Sequence, residues 1–337
     1  MLSPEDRLKQ KNEFDGNLSV NVKQFNIKTG RDKHLNNRNQ KNDQYVDSVT
    51  GLISEKLTIQ RPCCVCSSKE EKLLFIKEGF RHVKCTLCGM VYVNPVLKPD
   101  LQHTFYEDEA SYTQVLVSDL QASMDRKKSI YALEIIDQYL PRKGRLLDIG
   151  CGPGTFLKTA REHNWEVKGI EFNKTCVDHL RDDNIEVIDV PLEKAQLSSN
   201  SYQCVSMWGV LEHILEPKLL LNIIQRILTP DGMLLINVPN INSLVNRILH
   251  EKSGTFSGDS HINMFSEFTL TKLLTDSGFE VRETETLLTE IGTINNYLNY
   301  EDPYFGYSDP VLDLLTPEYI HSNKLGKSVF TLSSKPS

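Results

Sequence analysis

Short apolar runs alternate with helical patterns over residues 144–334 of this chain. Apolar runs of about four to eight residues, bounded by glycine or polar residues, indicate buried strands, whereas apolar residues that recur every three or four positions indicate amphipathic helices. Strands are therefore predicted at residues 144–150, 165–172, 185–190, 202–211, 232–238, 279–288 and 327–334. Helices are predicted at residues 154–164, 173–183, 218–228 and 268–278.

Strands that are separated by single helices require crossover connections, which are characteristic of parallel sheets. The pattern predicts an α/β fold of the Rossmann-like type, with a mostly parallel, seven-stranded sheet and helices on both faces. In such an open sheet, ligands bind at the carboxyl ends of the strands. We expect this domain to span residues 144–335, with insertions at about 241–265 and 291–325.

The first part of the chain differs in character. Residues 1–58 are polar and contain few aliphatic side chains. Such a segment buries too little apolar surface to offset its ordering entropy, so the default expectation is a flexible arm. The alternative is an arm that orders on a partner or wraps its own domain. Residues 97–143 are predicted to form a linker and a helix over 117–140 that stops at Pro141.

Two cysteine pairs lie in residues 59–96, among short β-like runs at Leu73–Ile76 and Val91–Val93. Cys63-x-x-Cys66 and Cys85-x-x-Cys88 have the spacing of two zinc knuckles, and Gly89 suits a tight turn after the second pair. Four thiolates make the closed tetrahedral site of structural zinc, so a zinc ribbon is predicted. Without a metal, this short segment would have little core to stabilise it.

The other cysteines have different predicted roles. Cys64 is a spare, because only one residue separates it from Cys66, and His82 is a weak substitute ligand. Cys151, Cys176 and Cys204 fall in a turn, a helix and a strand, where small core residues are expected rather than nucleophiles.

A glycine-rich turn follows the strand at 144–150 and reads Asp148-Ile149-Gly150-Cys151-Gly152-Pro153-Gly154. Glycines let the backbone turn tightly and let a ligand approach the main chain. Dinucleotide-binding turns usually have the spacing G-x-G-x-x-G, and a carboxylate there would repel the pyrophosphate. The spacing here is G-x-G-x-G, and Asp148 precedes the first glycine by two residues. This carboxylate favours a cationic ligand without phosphate, and S-adenosylmethionine, with its ammonium and sulfonium groups, fits.

An acid, Glu171, ends the second predicted strand. It can accept hydrogen bonds from both ribose hydroxyls of an adenosyl ligand, although dinucleotide folds use the same device. The strand, the D-x-G-x-G-x-G turn and this acid together resemble the class I S-adenosylmethionine-dependent methyltransferases over about residues 145–335. The residues that the sequence and this resemblance place around the cofactor are Asp148, Gly150, Cys151, Gly152, Gly154, Glu171, Phe172, Leu192 through its backbone, Glu193 and Trp208.

The fourth predicted strand ends in Trp208-Gly209-Val210-Leu211-Glu212-His213, which resembles the V-L-E-H segment of ubiquinone-pathway O-methyltransferases. In such enzymes this loop lies beside the methionine end of the cofactor and opens toward the substrate. Trp208 is then either a cofactor contact or a buried aromatic residue at a strand end. Some of these enzymes bind a divalent metal through an additional Glu, but Gly209 occupies its place here. A catalytic magnesium site is therefore not expected.

Two histidines are the candidate catalytic residues. Methyl transfer mainly requires positioning of the acceptor, but an oxygen or nitrogen nucleophile also has to lose a proton. His213 is a candidate base because imidazole titrates near neutrality, and its alternative role is a structural hydrogen bond. His261 lies in a segment that resembles the D-x-H-x-x-x-F motif following strand five in many of these enzymes, or else it fixes the helix start at Ser266.

Composition narrows the acceptor and the compartment. The 337 residues carry a net charge of −7, so the chain has no global basic field. No apolar run is long enough to span a bilayer, and no secretory leader is evident, so we expect a cytoplasmic protein with no membrane partner. The end of the ribbon, Cys-Gly-Met-Val-Tyr-Val-Asn-Pro, resembles ribbons attached to small-molecule and sugar methyltransferases.

We therefore expect a small-molecule or sugar acceptor, methylated at oxygen rather than at carbon. Binding to nucleic acid is not expected, but an RNA methyltransferase that uses the ribbon's lysines is one alternative, and a cofactor-binding scaffold without turnover is another. The aromatic insertion at 291–325 suits a substrate lid, a surface loop or a contact in a homodimer.

Overall fold

The seven strands predicted between residues 144 and 334 form a single sheet in the computed structural model. The structure describes residues 2–14, 22–31, 33, 37, 42–101, 110–299 and 315–336. In chain order, its strands are β1 (Thr58–Ile59), β2 (Glu71–Lys77), β3 (Phe80–Cys85), β4 (Val91–Val93), β5 (Val96–Leu97), β6 (Arg145–Ile149), β7 (Glu166–Ile170), β8 (Glu186–Ile188), β9 (Tyr202–Trp208), β10 (Leu228–Pro239), β11 (Asn263–Met264), β12 (Glu280–Leu287) and β13 (Ser328–Ser334).

Helices separate most of the strands of the large sheet. In chain order, those in the described residues are α1 (Pro4–Phe14), α2 (Val22–Thr29), α3 (Ala110–Leu116), α4 (Asp119–Tyr139), α5 (Thr155–Glu162), α6 (Lys174–Asp182), α7 (Pro217–Ile227), α8 (Leu244–Leu249), α9 (Glu267–Asp276), α10 (Ile291–Asn299) and α11 (Pro317–Ser322). Short 3-10 turns lie at Glu55–Leu57, Leu211–His213 and His250–Lys252.

The large sheet has the strand order β12-β13-β10-β9-β6-β7-β8. The pairs β6–β7, β6–β9, β9–β10 and β7–β8 are parallel, and β13 runs antiparallel to both of its neighbours. The predicted mostly parallel, seven-stranded α/β sheet is therefore confirmed. Because β6 lies between β7 and β9, the turn after β6 adjoins the ends of both neighbouring strands.

Helices cover both faces of this sheet, as predicted. Leu147 of β6 belongs to the core cluster that includes Leu221 of α7 and Leu273 of α9. Leu146, its neighbour in β6, belongs to the opposite cluster, which includes Ile136 of α4 and Leu157 of α5. Successive side chains of a strand point to opposite faces, so the near-continuous apolar run of β6 reflects burial on both sides.

The cysteine-rich segment forms a four-stranded sheet of order β11-β4-β3-β2. Strands β2 to β4 come from residues 71–93, but β11 comes from the insertion after β10, with Asn263 opposite Tyr92. Cys63, Cys85 and Tyr92 also belong to the core cluster of the large sheet. The ribbon is thus joined to the insertion after β10 by backbone pairing, and to the large sheet by a shared core.

The N-terminal segment departs from the expected flexible arm over residues 4–14, which form α1. Phe14 is buried, and its ring lies 5.5 Å from that of Tyr131 in α4. Arg7 and Lys11 form ion pairs with Glu285 of β12, at 2.5 Å for Lys11. These long-range contacts offset the ordering entropy of the segment, which its own few apolar side chains could not offset alone. Over these residues the chain wraps its own domain.

Residues 42–58 also lie against the ribbon rather than free of it. Ile53 is buried, and its amide donates to the carbonyl of Gly79 at 3.0 Å. Asn42 is buried too, and its Nδ2 donates to Asp259 Oδ2 at 3.1 Å. Of the expected arm, residues 1, 15–21, 32, 34–36 and 38–41 lie outside the described residues.

The linker and the C-terminal insertion are described in part. The helix predicted at 117–140 is α4, preceded by the short helix α3, whereas residues 102–109 of the linker lie outside the described residues. In the insertion predicted at 291–325, α10 and α11 are described, and residues 300–314 lie outside. Among the described helices, none has both the length and the apolar character that spanning a membrane requires.

Candidate functional site

The glycine-rich turn lies at the carboxyl end of β6, as its sequence predicts. The amides of Gly150 and Cys151 donate to the carbonyl of Ile170 at 2.8 and 3.2 Å, which holds the turn against β7. Gly152 has φ +53°, and a Cβ placed there would have 3.7 Å to its nearest neighbour, Leu116 of α3. The glycine is therefore required by the backbone conformation, whereas a Cβ at this position would make only an ordinary van der Waals contact with Leu116.

Asp148 is the buried acid of this site, at 2% exposure. It lies opposite Ser206 of β9, whose hydroxyl donates to Asp148 Oδ1 at 2.7 Å. Burial, and to a lesser extent the charge of Glu171, raises the pKa of Asp148 to about 8, although the Ser206 hydrogen bond acts in the other direction. The carboxyl is thus largely protonated at neutral pH until a positive charge lies beside it.

Glu171, the second acid, follows β7 and closes the turn from the other side. Its Oε2 accepts a hydrogen bond from the amide of Gly152 at 2.8 Å, and its Oε1 accepts from the amides of Phe172 and Asn173 at 2.8 Å each. A carboxylate has about four lone-pair sites, so it can still accept from hydroxyl groups of a ligand. Both predicted acids therefore adjoin the glycine turn.

The remaining predicted cofactor residues spread around this edge of the sheet. Phe172 is 42% exposed, an unusual exposure for a phenyl ring next to a polar turn. Leu192 is buried in the core, whereas the side chain of Glu193 beside it is exposed. Trp208 packs between Phe156 and Phe330, with ring centroids at 5.4 and 6.4 Å, so its ring lies in the core on the α5 side of the sheet.

Helix α3 covers the glycine turn, and the sequence patterns did not predict it. Thr113 Oγ1 donates to Asn173 Oδ1 at 3.3 Å, and Asn173 in turn caps α6 by accepting from the amide of Cys176 at 3.1 Å. A seven-residue helix among polar and aromatic residues gives little periodic signal. The sequence signal that could have indicated these contacts is Asn173, a residue type that caps helices and that directly precedes a helical pattern.

The two candidate histidines lie together, 4.9 Å apart between ring centroids. His213 Nδ1 lies 2.9 Å from the carbonyl oxygen of Ser260, and His261 Nδ1 lies 2.9 Å from that of Thr255. A carbonyl accepts only, so each Nδ1 carries a proton and donates it. The start of α9, which His261 was alternatively expected to fix, is instead capped by Ser266 and Thr269.

Burial changes the chemistry expected of His213. It lowers the pKa of His213 to about 3, with a further contribution from His261, while the carbonyls of Ser260 and Gly209 act in the other direction. The imidazole is therefore uncharged at neutral pH. His213 was chosen as a base from the sequence because the ordinary pKa of imidazole is near neutrality. In the folded protein its pKa is instead far below neutrality.

Glu212 lies beside this pair and is buried, at 2% exposure. Its Oε1 is 3.8 Å from His213 Nε2, and its Oε2 has no hydrogen-bond partner among the described residues. Burial raises the pKa of Glu212 to about 8. Ligand atoms of Glu212, His213 and His261 lie within 4.8 Å of one another, so this cluster can share a proton or hold a cation.

The four predicted cysteine ligands converge in the ribbon. Their sulfur atoms all lie within 4.8 Å of one another, with 3.5 Å between Cys63 and Cys88 and between Cys66 and Cys85. A tetrahedral zinc site with bonds of about 2.3 Å separates its sulfurs by about 3.8 Å, so the donor set fits zinc closely. Gly89 has φ +77°, as the turn after the second knuckle requires.

Cys64 and His82 lie outside this cluster. His82 is buried and stacks on Phe75 at 4.6 Å, where burial lowers its pKa to about 4. Burial raises the pKa of Cys64 to about 12. Cys151, Cys176 and Cys204 are buried and unbridged, and burial raises the pKa of each thiol, so their environment suits small core residues rather than nucleophiles.

Residues 121–284 match a protein-family model described as a methyltransferase domain. The chain is 30% identical over 194 residues to an uncharacterised 37.1-kDa protein in transposon Tn4556 of Streptomyces fradiae, which covers 55% of this chain and 50% of that protein. It is 24% identical over 106 residues to a ubiquinone biosynthesis O-methyltransferase of Acinetobacter baumannii, which covers 29% of this chain and 45% of that protein. The chain thus spans about half the length of these two relatives.

A solved structure with a similar arrangement is the 1,6-didemethyltoxoflavin-N1-methyltransferase of Burkholderia thailandensis, which holds 1,6-didemethyltoxoflavin and S-adenosylhomocysteine. It is 13% identical, with a TM-score of 0.49, and the match covers 79% of this chain and all of that one.

The raised pKa of Asp148 predicts a pH-dependent stability. The folded protein binds a proton that an unfolded carboxyl, with a pKa of about 3.9, releases, so this contribution is complete at low pH and is lost as the pH rises from about 4 to about 8. We expect Asp148→Asn to remove a slope of up to about 1.4 kcal/mol per pH unit, measured by urea unfolding at about pH 5.5, 6.5 and 7.5. Asp182→Asn, which changes an exposed acid, is the control. The raised pKa of Glu212 affects the stability of the wild type and of both variants equally, so it cancels in the comparison. Parallel pH profiles for Asp148→Asn and wild type would contradict the assignment.

Proposed function

We propose that this chain, an S-adenosylmethionine-dependent methyltransferase, transfers the methyl group to an oxygen atom of a small-molecule or sugar acceptor. The observation that supports this most directly is the placement of Asp148 and Glu171 on either side of the glycine turn. A cationic adenosyl donor would stabilise the ionised form of Asp148, whereas a pyrophosphate would not. The methyltransferase-domain match over residues 121–284 supports the same reaction.

In this proposal, the residues that would hold the donor include Gly150, Cys151, Gly152 and Gly154 of the turn. Asp148 would bind its ammonium group, whose positive charge would favour the ionised carboxyl that burial alone disfavours. Glu171 would accept from its ribose hydroxyls, in addition to the backbone amides that Glu171 already binds. The cofactor contacts proposed beyond these are the exposed ring of Phe172, the backbone of Leu192, the side chain of Glu193 and an edge of Trp208.

His213 and His261 are the proposed catalytic residues on the acceptor side. The methyl group leaves the sulfonium and bonds to the acceptor oxygen, which loses its proton, so S-adenosylhomocysteine and the methylated acceptor are formed. Uncharged imidazoles beside a buried carboxyl can orient a hydroxyl and receive its proton. The low pKa of His213 makes it a weak base that is rarely protonated. Its larger contribution is therefore to orient the acceptor hydroxyl.

The ribbon is proposed to hold one structural zinc ion through Cys63, Cys66, Cys85 and Cys88. Its cations are interspersed with acids, and Lys77 donates to the carbonyl of Ser253 at 2.8 Å inside the protein. This favours a small acceptor over RNA.

Donor binding is the first test. Calorimetry is expected to show binding of S-adenosylmethionine and S-adenosylhomocysteine and none of NAD. Asp148→Ala should weaken S-adenosylmethionine binding about 100-fold, a loss of about 2.7 kcal/mol, with an unchanged circular dichroism spectrum. Asp182→Ala, which removes an exposed acid, should bind normally. Tight NAD binding, or full affinity in Asp148→Ala, would contradict the proposal.

Methyl transfer is tested with labelled donor and separate pools of hydroxylated small molecules, sugars and bulk RNA. We expect label in a small molecule or a sugar, and about 100-fold slower transfer in His213→Ala and His261→Ala than in the exposed control His179→Ala. Label in RNA, with a steep dependence on salt, would favour the nucleic-acid alternative. Donor binding without any methylated product would instead indicate a scaffold.

Zinc content is measured by elemental analysis of the purified chain. We expect one equivalent in the wild type, loss of zinc in Cys85→Ser and full retention in Cys64→Ser, because Cys64 lies outside the cluster. Chelation should speed hydrogen exchange in residues 61–95 and leave β6 and β7 protected. Identical melting with and without chelator would argue against a metal-stabilised ribbon.

A further inference from the structure

Arg61 connects the four-cysteine cluster to the Leu211–His213 turn. It lies two residues before Cys63 and is 8% exposed, which is rare for an arginine. Its Nε donates to the carbonyl of Val93 at 3.2 Å, and its Nη2 donates to the carbonyl of Ile262 at 2.9 Å and to Asn263 Oδ1 at 2.7 Å. One side chain therefore joins β4 of the ribbon to β11 of the insertion.

Asn263 extends this connection to the Leu211–His213 turn. It is 1% exposed, and its Nδ2 donates to the carbonyls of Leu211 at 3.3 Å and Ile214 at 2.7 Å. The amide of the preceding residue, Ile262, donates to the carbonyl of Glu212 at 3.0 Å. The backbone on both sides of His213 is thus held by the two residues that Arg61 binds.

The charge of Arg61 has no carboxylate among these hydrogen-bond partners, which are two carbonyls and a neutral amide. Its Nη1 has no hydrogen-bond partner among the described residues. Burial lowers the pKa of Arg61, whereas negative charge on Cys64, Tyr92, Cys63 and Glu216 raises it. Its guanidinium carbon also lies 5.2 Å from the centre of the Tyr92 ring. A buried cation is stabilised by each negative charge near it. Zinc bound by four thiolates bears a net charge of −2, so a loaded cluster would add to the negative charge of Glu216.

We propose that Arg61 is a positioning residue that couples metal binding at the four-cysteine cluster to the position of the Leu211–His213 turn. The coupling has two parts: the guanidinium charge stabilises the anionic metal cluster, and its hydrogen bonds, relayed by Asn263, hold the turn. Because coupling free energies are reciprocal, loss of Arg61 weakens metal binding, and loss of metal loosens the turn. The inference rests on the proposed zinc site but not on the identity of the acceptor.

The test uses the full chain and two readouts other than activity. Zinc retention is measured by competition with a chelator, and the order of the turn by hydrogen exchange of a peptide spanning residues 209–216, in which the amides of His213 and Ile214 are bonded to Val210 and Leu211. Arg61→Met is expected to weaken zinc retention and to speed exchange, each at least about tenfold. Lys84→Met, which removes an exposed ribbon cation, should change neither.

Two further variants separate the parts of the coupling. Arg61→Lys keeps the charge and loses the planar set of donors, so zinc retention should recover while exchange stays fast. Asn263→Ala adds no charge and leaves Arg61 bonded to the carbonyls of Val93 and Ile262, but it cannot donate to Leu211 and Ile214, so zinc retention should be normal, and exchange should be fast with or without chelator. These variants give a result even if Arg61→Met does not fold.

The outcomes are distinguishable. Normal zinc retention and normal exchange in Arg61→Met or Arg61→Lys would overturn the coupling and leave the zinc site intact. Absence of zinc from the wild-type chain would overturn the zinc site and the coupling together. Exchange in the turn that does not respond to chelation of the wild type would also overturn the coupling, whatever the zinc content.

Discussion

Burial of the Asp148 carboxyl at the end of a central parallel strand is the constraint on which the electrostatics of this edge of the sheet depend. A buried carboxyl is tolerated when it is protonated or when a donor or a positive charge lies beside it. Ser206 supplies one donor from the neighbouring strand. Without a positive charge beside it, burial keeps the carboxyl largely protonated at neutral pH.

The sequence predicted the large sheet well, because its strands are apolar on both faces and are separated by clear helical patterns. It predicted the two acids because Asp148 lies at the end of β6, just before the glycines, and Glu171 directly follows β7. Ser206 was not singled out, because the register of β9 against β6 is a long-range property. Strand β11 was missed for the same reason: two residues have no periodicity, and they form a strand only because β4 lies beside them.

The N-terminal segment and the histidine pair show where local reasoning is incomplete. Helix α1 is polar, yet Phe14 and two ion pairs hold it against distant elements. His213 was chosen for the ordinary pKa of imidazole, but the surrounding protein changes that pKa more than any neighbour in sequence does. Composition and motif describe the residue types present, whereas desolvation depends on how the whole chain packs.

The contribution of β11 to the ribbon also has a consequence for synthesis. During translation, Val91–Val93 leave the ribosome about 170 residues before Asn263 and Met264, which complete their sheet. Until then, one edge of the ribbon is open to other strands, with exposed backbone donors and acceptors. A fragment that stops before residue 263 would retain that open edge permanently, so the cysteine-rich segment is better regarded as a part that a later segment of the chain completes than as a separable module.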